Sequence, residues 1–125
     1  MVDEDFFENY ERLINIYKRP KNAGKLKDAN VIIHEKNESC GDEVKIYLLV
    51  KDGIIMDASF EGEGCVISKA STSLLLDHLK GKYMKDIDNI DKAFIFSLIG
   101  IDLSKNPSRI KCATLALNAL KKNLK

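Results

Sequence analysis

The chain has 125 residues, 45% hydrophobic and 31% charged, with seven Gly and two Pro; it is long enough for one modest core and too short for two. That composition excludes collagen-like, disordered and disulfide-dense classes. Twenty basic residues against nineteen acidic ones leave a net charge of +1, so no overall field draws nucleic acid or an anionic membrane surface.

From Asp5 to Lys18, Phe6, Phe7, Tyr10, Leu13, Ile14 and Tyr17 recur at helical spacing before Pro20 and Gly24 stop the pattern. The spacing predicts an amphipathic helix whose aromatic stripe packs inward, any exposed part being available to a partner. Val31-Ile32-Ile33 is a short β-branched run. Val44, Ile46, Leu48 and Val50 alternate with Lys45, Tyr47, Leu49 and Lys51, and Asp52-Gly53 supplies hairpin turn chemistry. Ile54 to Glu61 resumes a strand with Met56, Ala58 and Phe60 on one face, until Gly62-Glu63-Gly64-Cys65 interrupts it.

Val66 to Lys80 shows helical spacing and ends at Gly81, a residue suited to a left-handed cap. Helical segments are expected near Lys85 to Ile90 and Lys92 to Ile99. The last helix is expected from Pro107 to about Leu124, with Asn106 as its N-cap. Strands first and most helices last predict an α+β fold, a small antiparallel sheet packed by helices, in a single domain spanning 1–125. No apolar stretch approaches the roughly 20 residues of a membrane span. The acidic start Met1-Val2-Asp3-Glu4-Asp5 is unlike a secretory signal, so a cytoplasmic protein is expected.

Three cysteines are an odd number for a disulfide framework, which turns attention to thiol chemistry and metal binding. Each falls at an element junction: Cys40 in the loop before a strand, Cys65 ahead of a helix, Cys112 in the early turns of the last helix. Gly41-Asp42 follows Cys40, and Gly62-Glu63-Gly64 precedes Cys65, so backbone can approach closely at both. Three thiolates and the Asp42 carboxylate would complete a four-coordinate shell, suited to tetrahedral zinc or to a [2Fe-2S] cluster. The long separations mean that only the tertiary fold can assemble such a site. The competing reading is that scattered thiols fill the core and that Asp42 is an ordinary turn residue.

The local sequences weigh against that reading. Ser39-Cys40-Gly41-Asp42, Phe60-Glu61-Gly62-Glu63-Gly64-Cys65-Val66-Ile67-Ser68-Lys69-Ala70-Ser71 and Arg109-Ile110-Lys111-Cys112-Ala113-Thr114-Leu115 resemble the three ligand segments of the IscU/SufU/NifU-N family of iron-sulfur cluster assembly proteins. Tyr17-Lys18-Arg19-Pro20-Lys21-Asn22-Ala23-Gly24 is similar to that family's tyrosine-to-glycine segment. The resemblance covers nearly the whole chain. It implies a SufE/NifU-like α+β fold with a three-stranded antiparallel sheet, and a metal or cluster site formed by Cys40, Asp42, Cys65 and Cys112.

The activity implied is that of a scaffold that receives sulfur from a cysteine desulfurase, builds a labile [2Fe-2S] cluster and passes it to apo iron-sulfur proteins or a carrier. The alternative is a zinc-dependent sulfurtransferase, with zinc at the same residues. Gly-Glu-Gly-Cys and Arg-Ile-Lys-Cys-Ala are similar to the SufU branch, whereas the interval between Cys65 and Cys112 lacks the SufU insertion, as in IscU. Lys111 stands where IscU proteins carry His. Lys105-Asn106-Pro107-Ser108-Arg109 replaces the Leu-Pro-Pro-Val-Lys motif that IscU presents to its chaperone, so a dedicated chaperone is not expected.

Within this frame Asp42, a harder donor than thiolate, is the exchangeable edge of the shell. Lys111 and Arg109 are candidate supporting cations, Lys111 by pairing with Asp42 or lowering the Cys112 pKa; solvated helix residues are the alternative. Helix dipoles are expected to hold Cys65 and Cys112 as thiolates. The persulfide acceptor is Cys40, by mobility of its loop, or Cys112, beside Lys111. His34 and His78 stand apart from the cysteine segments and are excluded as ligands. Lys121, Lys122 and Lys125 complement a helix C-terminus and are not read as a nucleic-acid footprint.

Overall fold

The computed structural model describes residues 4–38 and 41–124. In chain order the elements are α1 (Glu4–Lys18), β1 (Val31–Lys36), β2 (Glu43–Lys51), β3 (Ile54–Glu63), α2 (Val66–Leu79), a 3₁₀ turn (Met84–Asn89), α3 (Lys92–Ile99) and α4 (Pro107–Asn123). The strands form an antiparallel sheet in the order β1-β2-β3. Asp52 and Gly53 both have positive φ, 55° and 77°, the pairing that a two-residue turn needs to match strand twist. β1 runs three residues beyond the apolar Val31-Ile32-Ile33, because backbone pairing continues to Lys36 opposite Glu43 where side-chain hydrophobicity has already ended.

One sheet face carries Ile33, Val44, Ile46, Leu48, Ile55, Ala58 and Phe60 into the core. Met56, expected beside Ala58 and Phe60, is instead 53% exposed. The register slips between Leu49 paired with Asp57 and Val50 paired with Ile55. Met56 is the extra residue of a bulge, which turns it outward and puts Ile55 in its place.

α2 and α4 pack on each other and on the sheet, α2 against β3 and α4 against β1. They bury Ile67, Ala70, Leu75, Leu76 and Leu79 from one helix and Ala113, Leu115, Ala116, Leu117 and Leu120 from the other. α4 begins as expected, with Pro107 in its first turn and the Asn106 side chain accepting from Arg109 N.

α1 departs from its expected inward stripe. Leu13 is fully buried, but Phe7 is 58% and Tyr10 36% exposed, Tyr17 is half-buried beneath the Lys69 ammonium, and the Phe6 side chain lies outside the described residues. The helix packs on α2 and is otherwise tied by polar bonds to the end of α3: Asn9 Nδ2 donates to Gly100 O (2.8 Å) and Arg12 to Leu98 O (3.0 Å). So narrow a footing cannot bury a broad aromatic face.

After α1, Asn22 adopts a left-handed conformation (φ 69°) that aims its carbonyl at Phe60 N (2.8 Å), while Gly24 N donates to Phe60 O (2.7 Å). The Asn22 side chain accepts from Lys80 and donates to Ser73 O. The tyrosine-to-glycine segment thus pins the free edge of β3 to α2.

Candidate metal centre

The site lies where β2 begins, β3 ends and α2 starts. Gly41, at φ 78°, turns the chain into Asp42, and the loop is closed by Gly41 N donating to Asn37 O and Asn37 N to Asp42 O. Glu43 pairs with Glu63, so Asp42 and Gly64 are carried past the sheet's end side by side. Gly62 is required by the same pairing, since a Cβ there would fall 2.2 Å from Glu43 O. At Gly64 a Cβ would come within 2.9 Å of Ser68 Oγ and 3.4 Å of Asp42 Cγ; hydrogen in that position makes room for the carboxylate.

Gly64 leads to Cys65, the N-cap of α2, whose Sγ accepts from Ser68 N at 3.5 Å. Capping normally falls to Ser, Thr, Asp or Asn, which is why a cysteine cap could not be recognised from sequence pattern. Cys112 approaches from α4, brought in by the α2–α4 packing. One ligand atom from each of Asp42, Cys65 and Cys112 lies within 4.8 Å of the others. Cys65 Sγ donates toward Asp42 Oδ2 at 4.0 Å. Asp42 and Cys112 are buried, at 7% and 6% exposure, and Cys65 is half-buried.

These donors fit a tetrahedral metal. Ligand bonds of 2.0 to 2.3 Å put neighbouring donors roughly 3.5 to 3.8 Å apart, so rotamer adjustment of about 1 Å would close the set around one ion. A buried carboxylate facing two thiols also demands either a cation or protons. Ser39 and Cys40 lie outside the described residues; Cys40 immediately precedes Gly41 in the sequence.

The expected Cys112 thiolate is not what the geometry favours. Burial first, then hydrogen bonding to Asp42 and the nearness of Cys65, pushes its thiol pKa well above the ordinary value. Cys112 lies in the second turn of α4, past the free N–H groups that give a helix start its positive end. Lys111 does not offset this: it is exposed and, among the described residues, makes no ion pair with Asp42. It lines a shallow groove with Glu35, Asn37, Leu115, Asn118 and Lys122. Arg109 is also exposed and edges a small depression with Tyr10, Ile67, Ile101 and Leu103. Neither cation makes an ion pair with a described ligand. His34 pairs with Glu43 at 3.0 Å and His78 packs on Phe94, so neither joins the cluster.

The family model described as NifU-like N terminal domain matches residues 8–125. The chain belongs to the NifU-like N-terminal domain family. Relatives include the iron-sulfur cluster assembly scaffold protein IscU of Thermotoga maritima, 40% identical over 92% of this chain and 91% of that one. The zinc-dependent sulfurtransferase SufU of Bacillus subtilis is 37% identical over 90% of this chain and 86% of its own. Among solved structures, a Fervidobacterium islandicum protein assigned as a scaffold of the SUF system superposes with a TM-score of 0.76 at 31% identity, covering 99% of this chain and 96% of that one. The NifU-like N-terminal structure from Brucella abortus, at 15% identity and a TM-score of 0.77 over 94% of each chain, shares the fold. The three-stranded antiparallel sheet with packed helices is therefore the NifU-like architecture. Among the described residues, no helix is long and apolar enough to cross a membrane.

Proposed function

We propose that this protein is an iron-sulfur cluster assembly scaffold: sulfur from a cysteine desulfurase and iron are combined on it as a labile [2Fe-2S] cluster, which passes to apo iron-sulfur proteins or a carrier. The observation that carries the reading is the convergence of Asp42, Cys65 and Cys112 within 4.8 Å in a chain 40% identical to a named scaffold. Cys40 is assigned as the fourth ligand. The cluster is cargo, and the chain's own groups prepare its place. Ser68 N–H donates to Cys65 Sγ, the Asp42 carboxylate stands 4.0 Å from the same sulfur, and burial of Cys112 keeps water from that side.

Cys40 is the sulfur acceptor in this reading, because Cys112 is buried and its thiol holds its proton, which makes it the poorer nucleophile. Arg109 and Lys111, both exposed beside the ligands, supply positive charge at the rim. The reducing cytoplasm suits a protein that works through free thiols.

A second reading, in which zinc occupies the same donors and the protein is a sulfurtransferase, is favoured by the likeness to the Bacillus subtilis zinc-dependent enzyme. Zinc would organise the thiolates while one cysteine leaves to take persulfide sulfur. Anaerobic reconstitution with ferrous iron, cysteine and a desulfurase separates the two. Stoichiometric iron and sulfide with visible absorption supports the scaffold. Retention of zinc, with a rise in desulfurase turnover and no cluster, selects the transferase; neither result removes both.

A further inference from the structure

The two thiols of the described site lie close together. Cys65 Sγ and Cys112 Sγ lie within 4.8 Å, on two helices that pack together, and both are free. A disulfide needs about 2.05 Å between sulfurs, so the pair must close by less than about 3 Å from the separation seen here. Their settings also differ in the way that oxidation chemistry requires. Cys65 is half-buried and reachable, and its sulfur receives Ser68 N–H. Cys112 sits behind it at 6% exposure.

We infer that Cys65 is a site of peroxide modification in the metal-free protein, with Cys112 as its resolving thiol, so that the empty site closes as a reversible Cys65–Cys112 disulfide. In the first step Cys65 Sγ attacks one oxygen of hydrogen peroxide. The O–O bond breaks, Cys65 becomes a sulfenic acid, and the displaced oxygen takes up the thiol proton and leaves as water. In the second, Cys112 Sγ attacks the sulfenic sulfur, the S–O bond breaks, and the departing hydroxide takes the Cys112 proton as a second water. The two thiols lose two electrons and the peroxide oxygens gain them. A dithiol reductant restores both thiols by exchange. A bound metal engages both sulfurs and blocks the first step, so loading protects the site. That protection rests on the metal-site reading above; the disulfide rests on the thiol pair alone.

The test treats metal-free, pre-reduced protein with a slight excess of hydrogen peroxide and maps cysteine peptides by mass spectrometry. The expected product is a Cys65–Cys112 linked peptide that dithiothreitol removes. In Cys112→Ser, dimedone should label Cys65 as the sulfenic acid, and in Cys40→Ser the link should still form. Zinc-loaded protein should oxidise at least about tenfold more slowly. A link through Cys40 in wild type, or sulfinic acid on Cys65 with Cys112 still reduced, overturns the inference. Equal oxidation with and without stoichiometrically bound zinc overturns the protection. Failure of both zinc and a reconstituted cluster to bind while the disulfide forms rejects the metal reading and leaves the thiol pair standing.

Discussion

The start of α2 and the second turn of α4 contribute one cysteine each to the same site, yet they do so in opposite ways. Cys65 is a half-buried cap whose sulfur receives a backbone N–H, at the end of a glycine-rich approach. Cys112 is 6% exposed, and its thiol is held protonated by burial. Two chemically identical side chains are thereby given different settings: one half-open to solvent and the other held against the core. The difference teaches that the local backbone, more than the residue type, sets a thiol's reactivity.

The largest expected effect is on metal holding itself. Cys65→Ser and Cys112→Ser should each weaken zinc binding at least about 100-fold, beyond the loss of an outer partner, as measured by competition with a chelator. If either variant binds as wild type does, the two regions do not share an ion. Alkylation of the metal-free Cys40→Ser variant sharpens the contrast: at neutral pH iodoacetamide should modify Cys65 at least about tenfold faster than Cys112, and equal rates would erase the distinction.

The raised Cys112 pKa gives a stability signature with a definite sign. The folded state keeps the proton that the unfolded chain releases near pH 8.5, so this contribution is intact below that value and is lost as pH rises above it. Metal-free protein should therefore lose melting temperature from about pH 8.5 upward. Cys112→Ser should flatten that decline, and Cys65→Ser should keep most of it, because burial is the first cause. A decline unchanged in Cys112→Ser would assign it elsewhere.

Two smaller effects concern the groups around the pair. Asp42→Ala should lengthen cluster lifetime several-fold, since a hard and readily exchanged donor is removed; faster decay of the visible absorption would make Asp42 a stabiliser. Lys111→Ala should leave zinc affinity within about twofold, as expected of an exposed charge that pairs with no ligand; a tenfold loss would restore the supporting role expected from its place beside Cys112.

Much of this molecule is legible from local pattern. The alternation of Val44, Ile46 and Leu48, the Asp52-Gly53 turn, and Asn106-Pro107 at the start of α4 all act within a few residues, so the sequence carries them directly. A period-2 reading turns Met56 inward because a bulge is invisible to it: the slip exists only between two paired strands. Helical spacing turns Phe7 and Tyr10 inward for a related reason, since it shows that a stripe exists but not how wide a neighbour it meets.

The sequence nominated Cys40, Asp42, Cys65 and Cys112 as metal ligands from their residue types, their flanking glycines and their places at element junctions, and the fold brings the last three together. The sequence could not determine how far each would be sealed from water. Cys65 and Cys112 share a side chain and each lies near a helix beginning, and only the packing of α2 on α4 decided that one would be half-open and the other sealed. Ionisation depends on distance to water, carboxylate and free backbone N–H groups, and those distances arise only when remote segments meet.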